Sequence, residues 1–255
     1  MKKYSTDLSD SQWQVIKEFL NIKRRRKHDL RTIVNAILYL VKTGCQWRML
    51  AKDYPKWQIV YYYFNRWKHG RIIEKIQCFL VRKARVKQGK KEQPTVGIID
   101  AQSVKSTLVS NRSNTGYDGG KKIKGIKRHI IVHTLGLLLC VVVHSANIAD
   151  RKGGNYVLTK LAKRWDKIQK IFADGGYPLV GKVGERNKTL SGYTMEIIKR
   201  NELNTFKVIP KRWIVERTFA WIETNRRNAK SYERLPNTAE AITQLSAIRL
   251  MLKRF

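Results

Sequence analysis

Cysteines, acidic residues and long apolar runs are all scarce in this sequence. Its three cysteines, Cys45, Cys78 and Cys140, are scattered and form no CxxC pair, so neither a disulfide framework nor a zinc knuckle is indicated. The longest apolar run, Leu137 to Val143, is too short to span a bilayer, and the N-terminus lacks the apolar core of a signal peptide. We therefore expect a soluble cytoplasmic protein with no membrane partner.

The shortage of acidic residues leaves a large positive charge. The 255 residues include 53 lysines and arginines against 19 aspartates and glutamates, a formal net charge of +34. This excess burdens a compact chain through self-repulsion, so it indicates a polyanionic partner. Nucleic acid fits best, because each added cation gains from phosphate contact and counterion release. An acidic membrane surface is the weaker alternative, since no amphipathic anchor or lipidation motif is present. We expect the protein to be associated with the nucleoid.

The first third of the chain has the periodicity of helices. Ser9 and Gln12 have capping-box spacing at the start of a short helix. A 3.6-residue apolar stripe then runs from Leu30 to Val41 and stops near Gly44, a suitable C-cap residue. Two more helical stripes follow, that of Trp57, Val60, Phe64 and Trp67 and that of Ile73, Ile76, Phe79 and Leu80.

These stripes predict an all-helical, helix-turn-helix-like domain over residues 1–88 that binds DNA. If the apolar stripe that starts at Trp57 packs inward, polar side chains lie on the other face, where a recognition helix carries donors for phosphates and base edges. A helical bundle with a solvated face fits the same periodicity and stays open as an alternative. The predicted DNA contacts of this helix are Lys56, Gln58, Tyr62 and Arg66.

Residues 89–94 combine charge, glycine and proline, which is typical of a linker. Beyond it, Val96–Ile99 reads as a central strand, a hairpin turns at Leu135-Gly136, and Ile168–Ala173 reads as another buried strand. Helical patterns lie between and after these strands. We therefore predict an α/β (α+β) chain in which residues 95–255 form a mixed β-sheet flanked by helices. The last two predicted helices run from Arg212 to Asn228 and from Thr238 to Lys253, the second with Ile242, Leu245, Ile248 and Leu252 on one face.

The segment from Asn114 to Arg128 is rich in glycine and lysine but lacks the spacing of a P-loop. Glycines let the backbone approach a ligand closely, and the lysines supply positive charge. We predict a loop that holds phosphates, in preference to a purely structural turn. The cations of this segment are Lys121, Lys122, Lys124, Lys127 and Arg128.

Three acidic residues are candidates for chemistry. Asp100 and Asp174 each end a buried-looking strand, and Glu216 lies on a predicted helix. Carboxylates that converge from separate elements repel one another unless divalent cations lie between them, and oxygen ligands suit Mg²⁺ or Mn²⁺. With two ions, such a site activates a water or a 3′-hydroxyl and stabilises the leaving oxygen of a phosphodiester. The alternative is that each acid is a helix cap or an ion pair, and Arg212 lies one turn before Glu216.

Other residues compete for these roles. Asp118 and Asp150 are rival third acids, although Asp150 is placed to cap the helix that follows it. A second conceivable metal set combines Asp150 with His129 and His133. The two histidines are more readily explained as polar residues on a strand face.

The candidate acids lie within motifs that cover nearly the whole chain, in order. These are Ala36–Leu40 with Thr43–Leu50, Asp100–Lys105, Gly119–Gly125, His144–Asn147, Phe172–Tyr177 and Arg212–Trp221. With these motifs the chain resembles bacterial insertion-sequence transposases of the DDE type, in the group usually numbered five.

The resemblance implies an RNase H-like catalytic domain behind a helical DNA-binding region. It implies that Asp100, Asp174 and Glu216 are the catalytic residues and hold two Mg²⁺ or Mn²⁺ ions. The implied substrate is double-stranded DNA: terminal inverted repeats are cut by hydrolysis and joined to target DNA by transesterification. Synapsis of two ends implies at least a homodimer during the reaction. Basic residues in or beside the motifs are then expected to contact DNA, namely Lys105, Arg212, Arg226, Arg227 and Lys230.

At three positions the chain departs from these transposases. In their signature Tyr-x2-Arg-x3-Glu-x6-Lys, Arg212 and Glu216 match, but Ile209 stands at the tyrosine position and Glu223 at the lysine position. His133 stands where relatives commonly have aspartate. These departures keep open a second function class, a transposase-derived DNA-binding protein that is catalytically impaired.

Overall fold

The computed structural model describes residues 4–22, 24–107, 112–177, 193–197 and 212–255. In these ranges the chain forms seven α-helices and six β-strands, with four helices preceding the sheet. No helix in them is long and apolar enough to cross a membrane. The predicted strand at Thr205–Ile209, and with it Ile209, lies outside the described residues.

The N-terminal helices follow the apolar stripes of the sequence. The capping box of Ser9 and Gln12 is present in both directions, and Gly44 ends its helix in the left-handed conformation at φ 74°. Val60 and Phe64 are buried, as the stripe predicted. These helices are α1 (Asp10–Lys17), α2 (Leu30–Thr43), α3 (Trp57–His69) and α4 (Ile72–Val86).

A six-stranded mixed sheet forms the second half of the chain. Its strands are β1 (Val96–Lys105), β2 (Gly116–Asp118), β3 (Ile123–Val132), β4 (Leu138–Ser145), β5 (Lys170–Ala173) and β6 (Thr194–Ile197). β3 pairs antiparallel with β1, with β2 and with β4, whereas β5 pairs parallel with β1 and with β6. Four strands joined by antiparallel pairs, followed by two strands that pair in parallel, lie behind a helical region and give an RNase H-like α+β fold, as predicted.

β1 is longer than its apolar run suggested. It continues through Asp100 to Lys105, which is opposite Gly125 of β3. The prediction that Asp100 ends the strand is therefore wrong. The polar residues beyond it remain in the sheet because their side chains have partners: Ser103 donates to Asp118, and Gln102 accepts from Arg128.

The segment Asn114 to Arg128 is a β-hairpin and not an open phosphate-binding loop. β2 pairs with the first residues of β3, and Asp118 closes the turn by accepting the backbone N–H groups of Gly120 and Lys121. Antiparallel pairing satisfies the backbone groups that an open loop would leave for a ligand. Lys121, Lys122 and Lys124 remain exposed on this hairpin, whereas Arg128 is buried.

Helices α5 (Asp150–Ala162) and α6 (Arg212–Glu223) differ from prediction at their ends. The N-cap of α5 is Ala149 without a side-chain bond, so Asp150 does not cap it, and its carboxylate lies 2.9 Å from the ammonium of Lys127. α6 stops at Glu223, where the side chains of Thr224 and Asn225 donate to its last carbonyls. A 3₁₀ turn at Arg226–Asn228 follows.

The last helix, α7 (Pro236–Leu252), is buried on almost every side: its predicted apolar face is buried, and so are Thr243, Gln244 and Ser246 on its other sides. It packs against α2 and α4 of the N-terminal region and against β4 of the sheet. α7 therefore joins the helical region and the sheet in one continuous hydrophobic core.

The stretch predicted as a linker is fixed by Arg85 at the end of α4. Its guanidinium, 4% exposed, donates to the carbonyls of Lys91, Glu92 and Gln93. The same guanidinium contacts Nε2 of His133, just beyond β3. These bonds tie the connection between the two regions to the end of β3.

Candidate active site

Asp100 and Asp174 lie at equivalent positions of neighbouring strands. In the parallel ladder of β1 and β5, Ile98 is opposite Phe172, and each aspartate comes two residues later. Both carboxylates therefore lie just beyond the last pair of this ladder, Asp100 within β1 and Asp174 directly after β5. The carboxyl end of a parallel strand, here that of β5, is where open α/β sheets bind ligands.

Asp100 is in the more secluded environment of the two. Burial raises the pKa of its carboxyl to about 6, while the N–H of Ala101, at 2.7 Å, and the charge of Arg212 oppose the rise and Asp174 adds to it. A carboxylate whose pKa is raised in a cleft is a functional-site candidate. The carboxylate of Asp174 accepts the backbone N–H of Gly176 at 3.0 Å.

Arg212 joins Asp174 to Glu216. It opens α6, and its guanidinium lies 3.5 Å from Oδ2 of Asp174 and 3.2 Å from Oε1 of Glu216. The ion pair with Glu216 spans one helical turn, as its i,i+4 spacing predicts. Glu216 is 56% exposed at the rim of the site. Glu216 is therefore linked to Asp174 by Arg212, which forms an ion pair with each of them.

The donor chemistry of this cluster suits a hard divalent cation. Carboxylate oxygens are the preferred ligands of Mg²⁺, and two of these carboxylates already share one cationic group. Among the described residues, no three His, Cys, Asp or Glu side chains stand close enough to one another to hold a metal. The cluster therefore fits a metal by ligand type, with the guanidinium of Arg212 between two of the three acids.

The second conceivable metal set does not assemble. His133 contacts Arg85, whereas His129 lies beside α5, with Nε2 3.9 Å from Oδ1 of Asp150. Burial, reinforced by nearby cations, lowers the pKa of His129 to about 2 and that of His133 to about 3, so both are neutral. The alternative interpretation of His129, a polar residue on a strand face, is the one that the structure supports.

Asp118 and Asp150 serve Lys127, a nearly buried cation. Its ammonium lies 3.4 Å from Asp118, 2.9 Å from Asp150 and 3.2 Å from the carbonyl of Ile148. Burial opposes ionisation of Asp118, but Ser103, the N–H of Lys121 and Lys127 together lower its pKa to about 2. Both rival acids therefore have a structural partner.

Two predicted DNA contacts are buried, and the structure corrects them. Arg128, 2% exposed, donates to Oε1 of Gln102 and to the carbonyl of Asn228. Arg227 pairs with Glu233 at 2.7 Å and donates to the carbonyl of Cys45. Burial raises the cost of charge, and it lowers the pKa of Arg128 to about 10, against the influence of Glu223.

The other predicted contacts stay accessible. Arg212 is half-buried, and ten residues have exposed side chains: Lys56, Gln58, Tyr62, Arg66, Lys105, Lys121, Lys122, Lys124, Arg226 and Lys230. The end of β1 meets the segment after the 3₁₀ turn, because the N–H of Ser231 donates to the carbonyl of Lys105. Lys105 and Lys230 therefore belong to one edge of the fold.

Sequence reasoning did not give Gln102 or Tyr177 a role. Gln102 links Arg128 to Glu223, and Tyr177 hydrogen-bonds His129 beneath the strand ends. Gln102 and Tyr177 lie within the motifs that carry the resemblance. A motif gives their positions, but their partners come from other strands and helices.

Two family models match the chain. Residues 91–251 match the model described as the transposase DDE domain, and residues 8–77 match that of transposases of the IS4/5 family. No curated protein and no solved structure matches.

Proposed function

Because the chain belongs to the DDE transposase family, we propose that it is the transposase of an insertion sequence. It binds the terminal inverted repeats of its element, cleaves the DNA ends by metal-dependent hydrolysis and joins them to target DNA by transesterification. The observation that carries this proposal is that Asp100 and Asp174 each follow, by two residues, the paired Ile98 and Phe172 of neighbouring parallel strands, and that Arg212 of the helix of Glu216 contacts Asp174.

In this proposal Asp100, Asp174 and Glu216 hold Mg²⁺ or Mn²⁺, two ions per site. When bound, the ions supply nucleophile activation and stabilisation of the leaving oxygen. Asp100 contributes a carboxylate that burial keeps from water, so a cation gains more from it than from an exposed acid. Arg212 balances the charge of Asp174 and Glu216 and is positioned to contact a scissile phosphate when DNA enters.

The exposed polar face of α3 contacts the DNA bases and so recognises the sequence, and the basic residues of the sheet domain bind the DNA backbone. Tyr62 is 56% exposed, and Arg66 donates to its hydroxyl at 3.3 Å, which orders both side chains on that face. The lysines of the hairpin, with Lys105, Arg226 and Lys230, add phosphate contacts. Two ends must be held together, so the working form is a homodimer or larger, acting on nucleoid DNA.

The test is a cleavage assay on duplexes that carry the inverted repeats flanking the reading frame. Asp174→Asn should abolish Mg²⁺-dependent cleavage while end binding, measured by gel shift, persists. Asp166→Asn is the matched control, because Asp166 is an exposed aspartate paired only with its neighbour Lys167 among the contacts described. Normal cleavage by Asp174→Asn would overturn the assignment of the acids.

A second function, end binding without strand transfer, is favoured by one observation. Glu223 places a carboxylate where the transposase signature has a lysine. Gln102 donates to this carboxylate and accepts from the buried guanidinium of Arg128, so Gln102 bridges the two charges. If the wild-type protein binds end duplexes but cleaves none of them with Mg²⁺ or Mn²⁺, this second function replaces the first.

A further inference from the structure

We propose that Tyr177 is a positioning residue that fixes the Asp174 carboxylate through a hydrogen bond to His129. The inference rests on the proposed function, because it assumes that Asp174 is a metal ligand. It adds a pair of buried residues, on the sheet face that packs against α5, to the machinery of the site.

The turn that follows β5 couples Asp174 to Tyr177. The N–H of Tyr177 donates to the carbonyl of Asp174 at 3.2 Å, and the N–H of Gly176 donates to its Oδ1 at 3.0 Å. An aspartate that accepts a backbone N–H two residues on stabilises such a turn. The direction of the carboxylate therefore depends on where Tyr177 is held.

Tyr177 is held by the sheet. Its side chain is 3% exposed, and its hydroxyl lies 3.0 Å from Nδ1 of His129, with the two rings perpendicular at 85°. His129 lies on β3 opposite Ala101, the residue after Asp100. Because β1 lies between β3 and β5, this bond ties the turn of Asp174 to the far side of the strand that carries Asp100.

Two consecutive glycines in α5 make room for this pair. A Cβ on Gly153 would lie 2.3 Å from Nε2 of His129, and a Cβ on Gly154 would lie 2.7 Å from Cδ1 of Tyr177. Glycine inside a helix costs about 1 kcal/mol relative to alanine. α5 therefore has two destabilising glycines where it covers the rings of His129 and Tyr177. The close contact with the helix restricts the movement of both rings.

The other polar side chains around Tyr177 and His129 have partners of their own. His144 stacks on His129 at 4.9 Å between ring centroids, and Lys127 with Asp150 lies at the N-terminus of α5. Among the bonds described for the Tyr177 hydroxyl, His129 is the partner. Removing that hydroxyl leaves the ring packed on Gly154 but frees the turn to shift.

The experiment compares Tyr177→Phe with Tyr156→Phe, a control on the exposed side of α5. Mn²⁺ binding to the full-length protein is titrated by electron paramagnetic resonance, and unfolding is followed by circular dichroism. Tyr177→Phe should weaken Mn²⁺ binding roughly tenfold, the usual effect of losing a partner that orients a metal ligand, with a small change in Tm. The Tyr156→Phe protein should bind Mn²⁺ like the wild type.

Two variants of His129 keep the test decisive if Tyr177→Phe is poorly folded. Asparagine places a polar atom near the position of Nδ1 of His129. His129→Asn should therefore bind Mn²⁺ almost as tightly as the wild type, and His129→Leu should bind it more weakly. Equal Mn²⁺ binding by these two variants, or wild-type binding by a folded Tyr177→Phe protein, overturns the positioning role.

Asp174→Asn separates this inference from the proposed function. If Asp174→Asn leaves Mn²⁺ binding unchanged, the metal site itself is wrong and the positioning role falls with it. If Asp174→Asn weakens binding and Tyr177→Phe does not, only the positioning role is wrong.

Discussion

Glu223 accepts a hydrogen bond from Nε2 of Gln102 at 2.7 Å, and this contact gives a role to a residue that departs from the transposase signature. The other end of the same amide accepts from the buried guanidinium of Arg128 at 3.2 Å. Gln102 therefore lies between a positive charge inside the sheet and a negative charge on α6. A lysine in place of Glu223 would face the same buried cation.

Glu223→Lys is expected to lower the free energy of unfolding by about 1 kcal/mol, because it removes an acceptor and adds a like charge near Arg128. Glu223→Gln keeps the acceptor, so it should be nearly neutral. Urea denaturation of both variants measures the difference. A lysine variant as stable as the wild type would show that the contact contributes nothing.

Arg128→Met should lower the free energy of unfolding by about 2–4 kcal/mol, since the oxygens of Gln102 and Asn228 lose their buried donor. Lys124→Met, at an exposed position of the same strand, should leave stability within about 0.5 kcal/mol and should weaken DNA binding. Denaturation combined with gel shifts at several salt concentrations checks both. A stable Arg128→Met protein with weakened DNA binding would restore the original prediction for Arg128.

His133→Glu should raise Tm. Arg85 is buried and bonds three backbone carbonyls, and its contact with His133 is to a neutral ring, whose pKa burial lowers to about 3. A carboxylate of similar reach would form a hydrogen bond between two charged groups, and hydrogen bonds to charged groups contribute about 1.5–3 kcal/mol net. His133→Gln, which is polar but uncharged, is the control. A lower Tm for the glutamate variant than for the glutamine variant would contradict this.

Stability should fall as the pH is lowered from 7.5 to 5.5. Burial lowers the pKa of His129, His133 and His144, so each of these rings binds a proton more readily in the unfolded chain, near pH 6.5, than in the fold. Their contribution is complete above pH 6.5 and is lost progressively below it, in part offset by Asp100, whose pKa is raised.

The expected loss is about 2–4 kcal/mol at pH 5.5. Chemical denaturation at pH 7.5, 6.5 and 5.5 measures it, with a repeat at pH 8.5 that should match the value at pH 7.5. Stability that is constant or rises toward pH 5.5 would show that the histidines take up protons without leaving their buried positions.

Sequence patterns predicted the structure correctly where interactions between residues close along the chain determine it. The capping box at Ser9, the C-cap at Gly44 and the stripe through Val60 and Phe64 are set by bonds and spacing within one helix turn or two. The alternation of strands and helices likewise predicted a mixed sheet flanked by helices, and the resemblance carried by the motifs implied the RNase H-like fold.

Long-range packing decided what the patterns missed. The length of β1 depends on partners for Gln102 and Ser103 that lie on other strands. α7 is buried on almost every side because it lies between two regions, whereas the periodicity of its apolar residues indicates one buried face. In the sequence, Arg128 does not differ from the other cations of its basic segment. The register of β3 places its side chain inside the fold.

The sequence by itself determined the class of fold and the strong positive charge and supplied three acidic candidates, because each is a property of composition or of residues close along the chain. Only the tertiary structure decided that Asp100 and Asp174 follow paired residues of neighbouring parallel strands, that Arg212 stands between Asp174 and Glu216, and that Tyr177 is tied to His129. The physical reason is that strand pairing and helix packing bring together side chains from distant parts of the chain, and spacing along the sequence does not encode which of them meet.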